Sequence, residues 1–466
     1  MQIPILAGIW TDSKADFRSN FPRNLIPIAM DQGISTGYLR PADGIVQNGT
    51  GPGINRGGIL WNGVLYRVMG TSLVSVSQSG TVTTLGTIPG ETRVTMFYSF
   101  DKLCIVAEPD AYLFDGTTLT QITDPDLGQV KDGIWIDGYF MFIDDEFIIV
   151  TELNDPFAID PLKYGSSEAD PDPLKSIVKI RNEAYVMNRH TTEVFDNIGS
   201  SGFPFQRIEG AQIMKGTMGP HTACLFLDAV AMVGSGMNEA PAVWLATNGQ
   251  AVKISTMDID LILQEYTEEE LATSFLEARV GRDYQHLVFH LPRQTLVYDP
   301  AVSAKVGQAA WFILSSGVDY DSTWRVSDMV WAYDRWNVAD TQSAAVGYLS
   351  ESVSTHWGQP VAWEFSTTIL YNEGRGALIH ELELVALTGR NALGSDPRIY
   401  TQYTVDGVTW SQPRWISAGQ IGNRTKRLIW LQQGNMRHWR AQRFRGTSDA
   451  FMSFARLEAR IEALNF

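Results

Sequence analysis

Between Gly407 and Ser448 the chain carries Arg414, Arg424, Lys426, Arg427, Arg437, Arg440, Arg443 and Arg445, and no aspartate or glutamate. Eight cations without a local counter-ion can meet carboxylates or phosphates on something else. Trp430 and Trp439 interleave with them, a pairing common at protein interfaces, where arginine is enriched and stacks on aromatic rings. These residues allow three readings: a solvated strand face, a docking surface for an acidic protein, and direct contact with DNA. The ten residues named are the docking candidates.

Other groups of chemical residue types fail on spacing. Thr404 to Trp410, TVDGVTW, is one residue short of the Asp-box of sialidase-type propellers, which forms a turn and is not catalytic. Glycan hydrolysis needs two carboxylates roughly 5–9 Å apart, which nothing in the sequence places. His286 and His290 have the i, i+4 spacing of zinc ligands on a helix, but HLVFHL reads as a strand, where they stand about 13 Å apart. Asp124-Pro-Asp126 and the acids of 168–172 lack the spaced oxygen ligands of a calcium loop and read as solvated turns. The glycine-rich 48–58, NGTGPGINRGG, has no Gly-Lys-Ser/Thr ending to grip phosphate and reads as a plain loop. No metal, cofactor or catalytic set is expected, and the reading is of a protein that is not an enzyme. A sialidase-like carbohydrate-active propeller and a receptor-binding module are the alternatives.

The 466 residues carry a net charge of −16, unevenly divided. Residues 361–466 hold 13 Lys+Arg against 9 Asp+Glu, or +4, so residues 1–360 carry −20. An acidic body repels nucleic acid, because phosphate affinity needs neutralising Lys and Arg. With 44% hydrophobic and 11% aromatic residues the chain can bury a large core. Cys104 and Cys224 are too few for a disulfide framework, which suits a reducing cytosol. The start lacks the basic segment of a secretory signal, and no apolar run approaches the roughly 18 residues of a membrane span.

These residues must be positioned by strands. Asn62-Gly63 and Asp115-Gly116 sit between apolar runs as hairpin turns, and strand-turn-strand units recur at roughly 40–50 residues, the interval of four-stranded propeller blades. About six fit before Ser350; a sandwich of long strands is the competitor. After Ser350, six strand-like segments with a turn at Asp406-Gly407 suit a small sandwich. The expectation is an all-β fold: a six-bladed β-propeller with an inserted helix, then a β-sandwich-like module. The division is an irregular docking segment at 1–56, a propeller-like body at 57–355 and a lobe at 356–466. The helix is expected within 258–278. Thr267 and Glu270 have capping-box spacing, so it should begin near Glu268, with Leu271, Phe275 and Leu276 on one apolar face.

Extended to Asp299, the same stretch reads LILQEYTEEELATSFLEARVGRDYQHLVFHLPRQTLVYD (261–299). It resembles the packaged-DNA stabilisation proteins, or tail accessory factors, of P22-like short-tailed bacteriophages. The signature lies in Thr267, Glu270 and Leu271 of the helix, His290, Pro292 and Arg293 of the His-Leu-Pro-Arg turn, and Tyr298 and Asp299 of the strand after it. GYLR (37–40) and LYRVMGTSL (65–73) are similar too, while Asp43-Gly44-Ile45 stands where the family reads Pro-Gly-Ile. The resemblance spans about residues 35–320. It implies a structural virion protein: a hexameric ring below the portal and its head-to-tail adaptor, closing the tail channel after packaging and receiving the tail needle. A tailspike or fibre is a further implied neighbour, and double-stranded DNA passes through without tight binding. Assembly in the host cytoplasm into the virion tail, without membrane insertion, is implied as well.

Overall fold

The computed structural model describes residues 2–6, 8–11, 17–30, 35–168, 170–281, 284–319, 322–373, 375–391, 393–448 and 451–464. The chain forms two compact units: Gln47–Pro292 with Arg325–Tyr348, and Met1–Val46 with Arg293–Trp324 and Leu349–Phe466.

The first unit is a β-propeller. Five four-stranded antiparallel meanders follow in order, at 55–87, 95–121, 132–159, 174–207 and 223–253. A hairpin of Phe275–Val280 and Gln285–His290 comes next, then Ser327–Ala332, Arg335–Ala339 and Ala345–Ser350. The first strand of each sheet packs beside the first strand of the next, and Ser327–Ala332 returns to Asn55–Trp61, so the ring closes on itself. Seven blades therefore replace the six counted from spacing. The blade missed is the last, whose hairpin turns at Tyr333-Asp334 with φ of 55° and 57°. Both residues adopt the left-handed conformation that Asn62 (49°) and Gly63 (77°) adopt in the first blade, but without glycine the turn carries no sequence signal. Successive blades bury facing apolar side chains, as Trp61, Tyr66 and Phe114 do with ring centroids 5.6–6.3 Å apart.

A buried polar cluster lies at the closing seam. Asp328 accepts from Arg93 (Nη2 to Oδ1, 2.5 Å) and from Asn55 (Nδ2 to Oδ2, 2.5 Å), while Arg67 donates to the Asp328 carbonyl at 3.0 Å. Glu277, in the sixth blade, accepts from the backbone N–H groups of Asp328 and Met329, both at 2.8 Å. Arg67 is wholly buried, and desolvation lowers its pKa to about 10. The glycine-rich 48–58 is not a plain loop. It spans the end of the strand Gly44–Thr50 and the start of Asn55–Trp61, and supplies Asn55 to this cluster.

The inserted segment also differs from its expectation. Helix α1 (Met257–Leu263) is capped by Thr256, and α2 (Glu268–Ala272) by the expected capping box: Glu270 N–H to Thr267 Oγ1 at 3.2 Å and Thr267 N–H to Glu270 Oε2 at 2.9 Å. Thr273 and Ser274 hydroxyls then donate back to the carbonyls of Glu270 and Leu271, and the chain leaves the helix. Phe275 and Leu276 consequently lie on a strand, and only Leu271 keeps its helical role.

The second unit is a sandwich. One sheet runs Leu25–Ala29, Gly37–Pro41, Ser453–Ala463, Ala377–Leu387, Leu428–Leu431; the other runs Val361–Ser366, Trp439–Ser448, Arg398–Thr404, Arg414–Ser417. Their shared core contains Trp363, Phe365, Trp430, Phe444 and Phe454. The Asn- and Pro-rich beginning of the chain thus supplies three strands to this sheet, Gln2–Ile3 pairing with Ser453–Ala463 beside the two named. In the same unit Thr295–Asp299 pairs with Ala310–Leu314, joined by helix α3 (Pro300–Val306). Among the described residues no helix is long and apolar enough to cross a membrane.

Candidate docking surface

Side chains alternate across a strand, so the phase of Trp439–Ser448 decides which cations face outward. Phe444 is in the core, which puts Gln442 and Arg440 on the same inward face. Arg440 is fully buried: Nη1 donates to Gln433 O (2.6 Å), Nε and Nη2 donate to Gln442 Oε1 (3.1 and 2.9 Å), and the guanidinium lies 3.8 Å over the Tyr403 ring. Burial lowers its pKa to about 10. Trp430 is likewise interior, 5.5 Å from Phe444 between ring centroids. Neither can meet a partner, so both leave the docking set.

Arg443 and Arg445 take the opposite face and are half-buried. Arg443 donates to Gln402 Oε1 at 2.9 Å and covers the Trp410 ring at 3.9 Å. Arg445 stands across the ladder from Glu364, whose carboxyl is raised by burial and drawn back by Arg443, Arg23 and Arg445. Trp439 is half-buried. The exposed members are Arg414, Arg424, Lys426, Arg427 and Arg437. Arg427 is already paired with Glu383, Nε to Oε1 at 2.7 Å and Nη2 to Oε2 at 2.5 Å, which holds that carboxyl below its usual range. The acid-free window in sequence is therefore not acid-free in space. Two aromatic members were missed: Trp410 under Arg443, and Trp415, half-exposed, with Arg398 4.3 Å over its ring. Their signal lay in the alternation of Arg and Trp along Arg398–Ser417.

The signature residues hold structure in place. His290 is stacked on Phe275 at 4.2 Å, and Arg93 covers Phe275 at 3.9 Å. Burial, then Arg93, lowers the His290 pKa to about 3, so the ring is neutral at physiological pH. His286 and His290 share the strand Gln285–His290, as read from sequence. Pro292 and Arg293 are exposed. Tyr298 is paired in register with Trp311, ring centroids 5.3 Å apart, and Asp299 caps α3 by accepting from the N–H groups of Ala301 (2.9 Å) and Val302 (3.1 Å). Asp406 closes the TVDGVTW turn, accepting from the Thr409 hydroxyl and from Thr409 and Val408 N–H at 2.8 and 3.0 Å, which together depress its pKa.

A family profile described as "Bacteriophage P22 Gp10, beta-propeller" matches residues 1–354, and one described as "Bacteriophage P22 Gp10, beta-sandwich" matches residues 362–462. The tail hub protein gp10 of Salmonella phage P22 is 26% identical over 458 residues, covering 94% of each chain. Among solved structures, the WD40 domain of Neurospora crassa Pan2 is 10% identical, with a TM-score of 0.43, covering 70% of this chain and 98% of its own. The N-terminal domain of Nup159 is similar at the same TM-score of 0.43, with 9% identity, covering 71% of this chain and 99% of its own. Matched in both its propeller and its sandwich, the chain belongs to the bacteriophage P22 Gp10 family of tail hub proteins.

Proposed function

We propose that this chain is a structural, non-enzymatic component of a short-tailed phage tail that forms a six-membered ring below the portal and its adaptor. The ring closes the channel, retains packaged DNA and later provides its path of ejection, and a tail needle or plug seats at its distal end. Tailspikes or fibres are neighbours in the same tail. The observation that carries this reading is the match to the P22 tail hub protein along 94% of both chains, across both domains. In functional terms the division is a docking segment at 1–56, a body at 57–355 and a lobe at 356–466.

Electrostatics supports the same reading. The −20 carried by residues 1–360 suits a lumen wall that repels the DNA backbone, so the genome slides without tight binding. The +4 lobe, with Arg414, Arg424, Lys426 and Arg437 exposed, suits docking on an acidic adaptor surface. Closed cyclic assembly needs a head-to-tail contact, and weak subunit contacts would leave the free chain monomeric until the adaptor templates the ring.

Electron microscopy of the chain mixed with portal–adaptor complexes of the same phage tests this. A six-fold ring on the adaptor's distal face, with acids lining its lumen, is expected. A chain that stays free overturns the assembly, and a neutral or basic lumen overturns the electrostatic part. Replacing Arg424 and Arg437 by glutamate should abolish adaptor binding while the thermal midpoint is unchanged; undiminished binding refutes the basic lobe as the docking face.

A further inference from the structure

The first strands of the propeller blades end in a cavity of about 800 Å³ walled largely by apolar and aromatic side chains, among them Trp61, Tyr98, Phe100, Trp135 and Leu225. Three of these are unusually open for their size: Phe100 is 89% exposed, and Tyr98 and Leu225 are each 49% exposed. Phe100 stands edge-on to Trp135, centroids 5.2 Å apart and planes at 79°, so the ring is held at the rim instead of folding inward. An apolar concavity of this size with aromatics at its lip has the form of a binding site, and a patch of exposed apolar rings has a standing tendency to be covered.

One polar feature gives the cavity chemical direction. Lys179 is the one charged side chain among the described residues that line it. Its Nζ donates to Trp135 O at 3.2 Å and sits 5.1 Å over the Trp135 ring, which leaves the ammonium's other donors open. The nearest acid acting on it, Asp137, is engaged by Asn182 (2.7 Å) and Asn197 (3.1 Å). Among the described residues that line this cavity the charge is one cation and no acid, which favours an occupant that carries a carboxylate.

We infer that this cavity is a docking site for an extended acidic peptide segment of a partner protein. One aromatic or aliphatic side chain of the segment lies against Tyr98, Phe100 and Trp135, and a carboxylate pairs with Lys179. The site lies wholly within the propeller and does not involve the basic lobe, so it stands or falls independently of the adaptor docking proposed above.

Calorimetric titration of the full chain with the capped peptides Ac-Asp-Phe-Leu-amide and Ac-Asn-Phe-Leu-amide tests it. The Asp peptide binds saturably, and the Asn peptide binds roughly fivefold more weakly, the size of one partly exposed charge pair. Lys179→Gln makes the two peptides equal, and Phe100→Ala weakens both. Because Phe100 is exposed, its substitution leaves the fold intact. Absence of saturable binding by the Asp peptide, discrimination that survives in K179Q, or binding indifferent to F100A would each overturn the inference. Sedimentation of the chain alone guards against a different occupant: concentration-dependent association abolished by F100A would assign the cavity to a second copy of this chain and likewise overturn it.

Discussion

Asp132 illustrates how burial and hydrogen bonding compete at one carboxylate. It is 3% exposed and accepts from Ser176 Oγ (2.8 Å), Ile177 N (3.0 Å) and Gly133 N (2.9 Å), each of which favours the charged form. Desolvation outweighs them and lifts its pKa to about 6 from 3.8. The native state thus keeps this proton to higher pH than the unfolded chain does, so the group's contribution to stability is fullest below about pH 4 and is lost as pH rises through about 6. Relative to Asp132→Asn, the wild type should lose about 3 kcal/mol across that window. Urea midpoints of both proteins from pH 4 to 7 measure it; parallel profiles would refute the burial-driven shift. Arg440 is the second case. Nothing in its own type separates it from Arg437, and only the strand phase set by Phe444 turns it inward. Arg440→Glu should lower the thermal midpoint sharply, since it buries a carboxylate beside the Gln442 and Gln433 oxygens that now accept from the guanidinium, whereas Arg437→Glu should leave the midpoint unchanged.

At the scale of elements, short-range chemistry was readable where a side chain bonds its own backbone. The Thr267–Glu270 box starts α2 as expected, because both its bonds are local. Thr267→Ala should cost about 1 kcal/mol, seen as a lower denaturant midpoint with an unchanged slope. A variant as stable as the parent would mean that packing of Leu271 alone holds the turn. The same stretch misled at its other end. Leu271, Phe275 and Leu276 have helical spacing, yet the pairing of Phe275–Val280 with Gln285–His290 takes the last two into a strand. Turns behaved alike: Asn62-Gly63 announced the first blade's hairpin, and Tyr333-Asp334 concealed the seventh's.

The propeller as a whole depends on closure, because an open ring of blades leaves one apolar sheet face of each end blade uncovered, here the faces of Leu65, Met69, Val74 and Val76 and of Ala332, Ala339 and Val346. Here the seam between the last and first blades is held by Asp328, Arg93, Arg67, Asn55 and Glu277, residues spread from position 55 to position 328. Removing one carboxylate leaves buried guanidinium groups uncompensated, so Asp328→Ala should destabilise the protein by about 3–5 kcal/mol. Adding Arg93→Ala should restore part of that loss, because the pair is coupled. Chemical denaturation of the two single variants and the double variant checks this, and strictly additive losses would exclude a closing role.

The all-β class, the propeller followed by a sandwich, the α2 cap and the family were legible in the chain, since strand periodicity, turn residues and capping pairs act over a few positions. The blade number, the burial of Trp430 and Arg440, the carboxylates that meet Arg427 and Arg445, and the closing cluster were decided only in three dimensions. Each of these depends on partners tens to hundreds of residues away, and which distant groups share a buried space is set by the packing of the whole sheet assembly, not by any window of sequence.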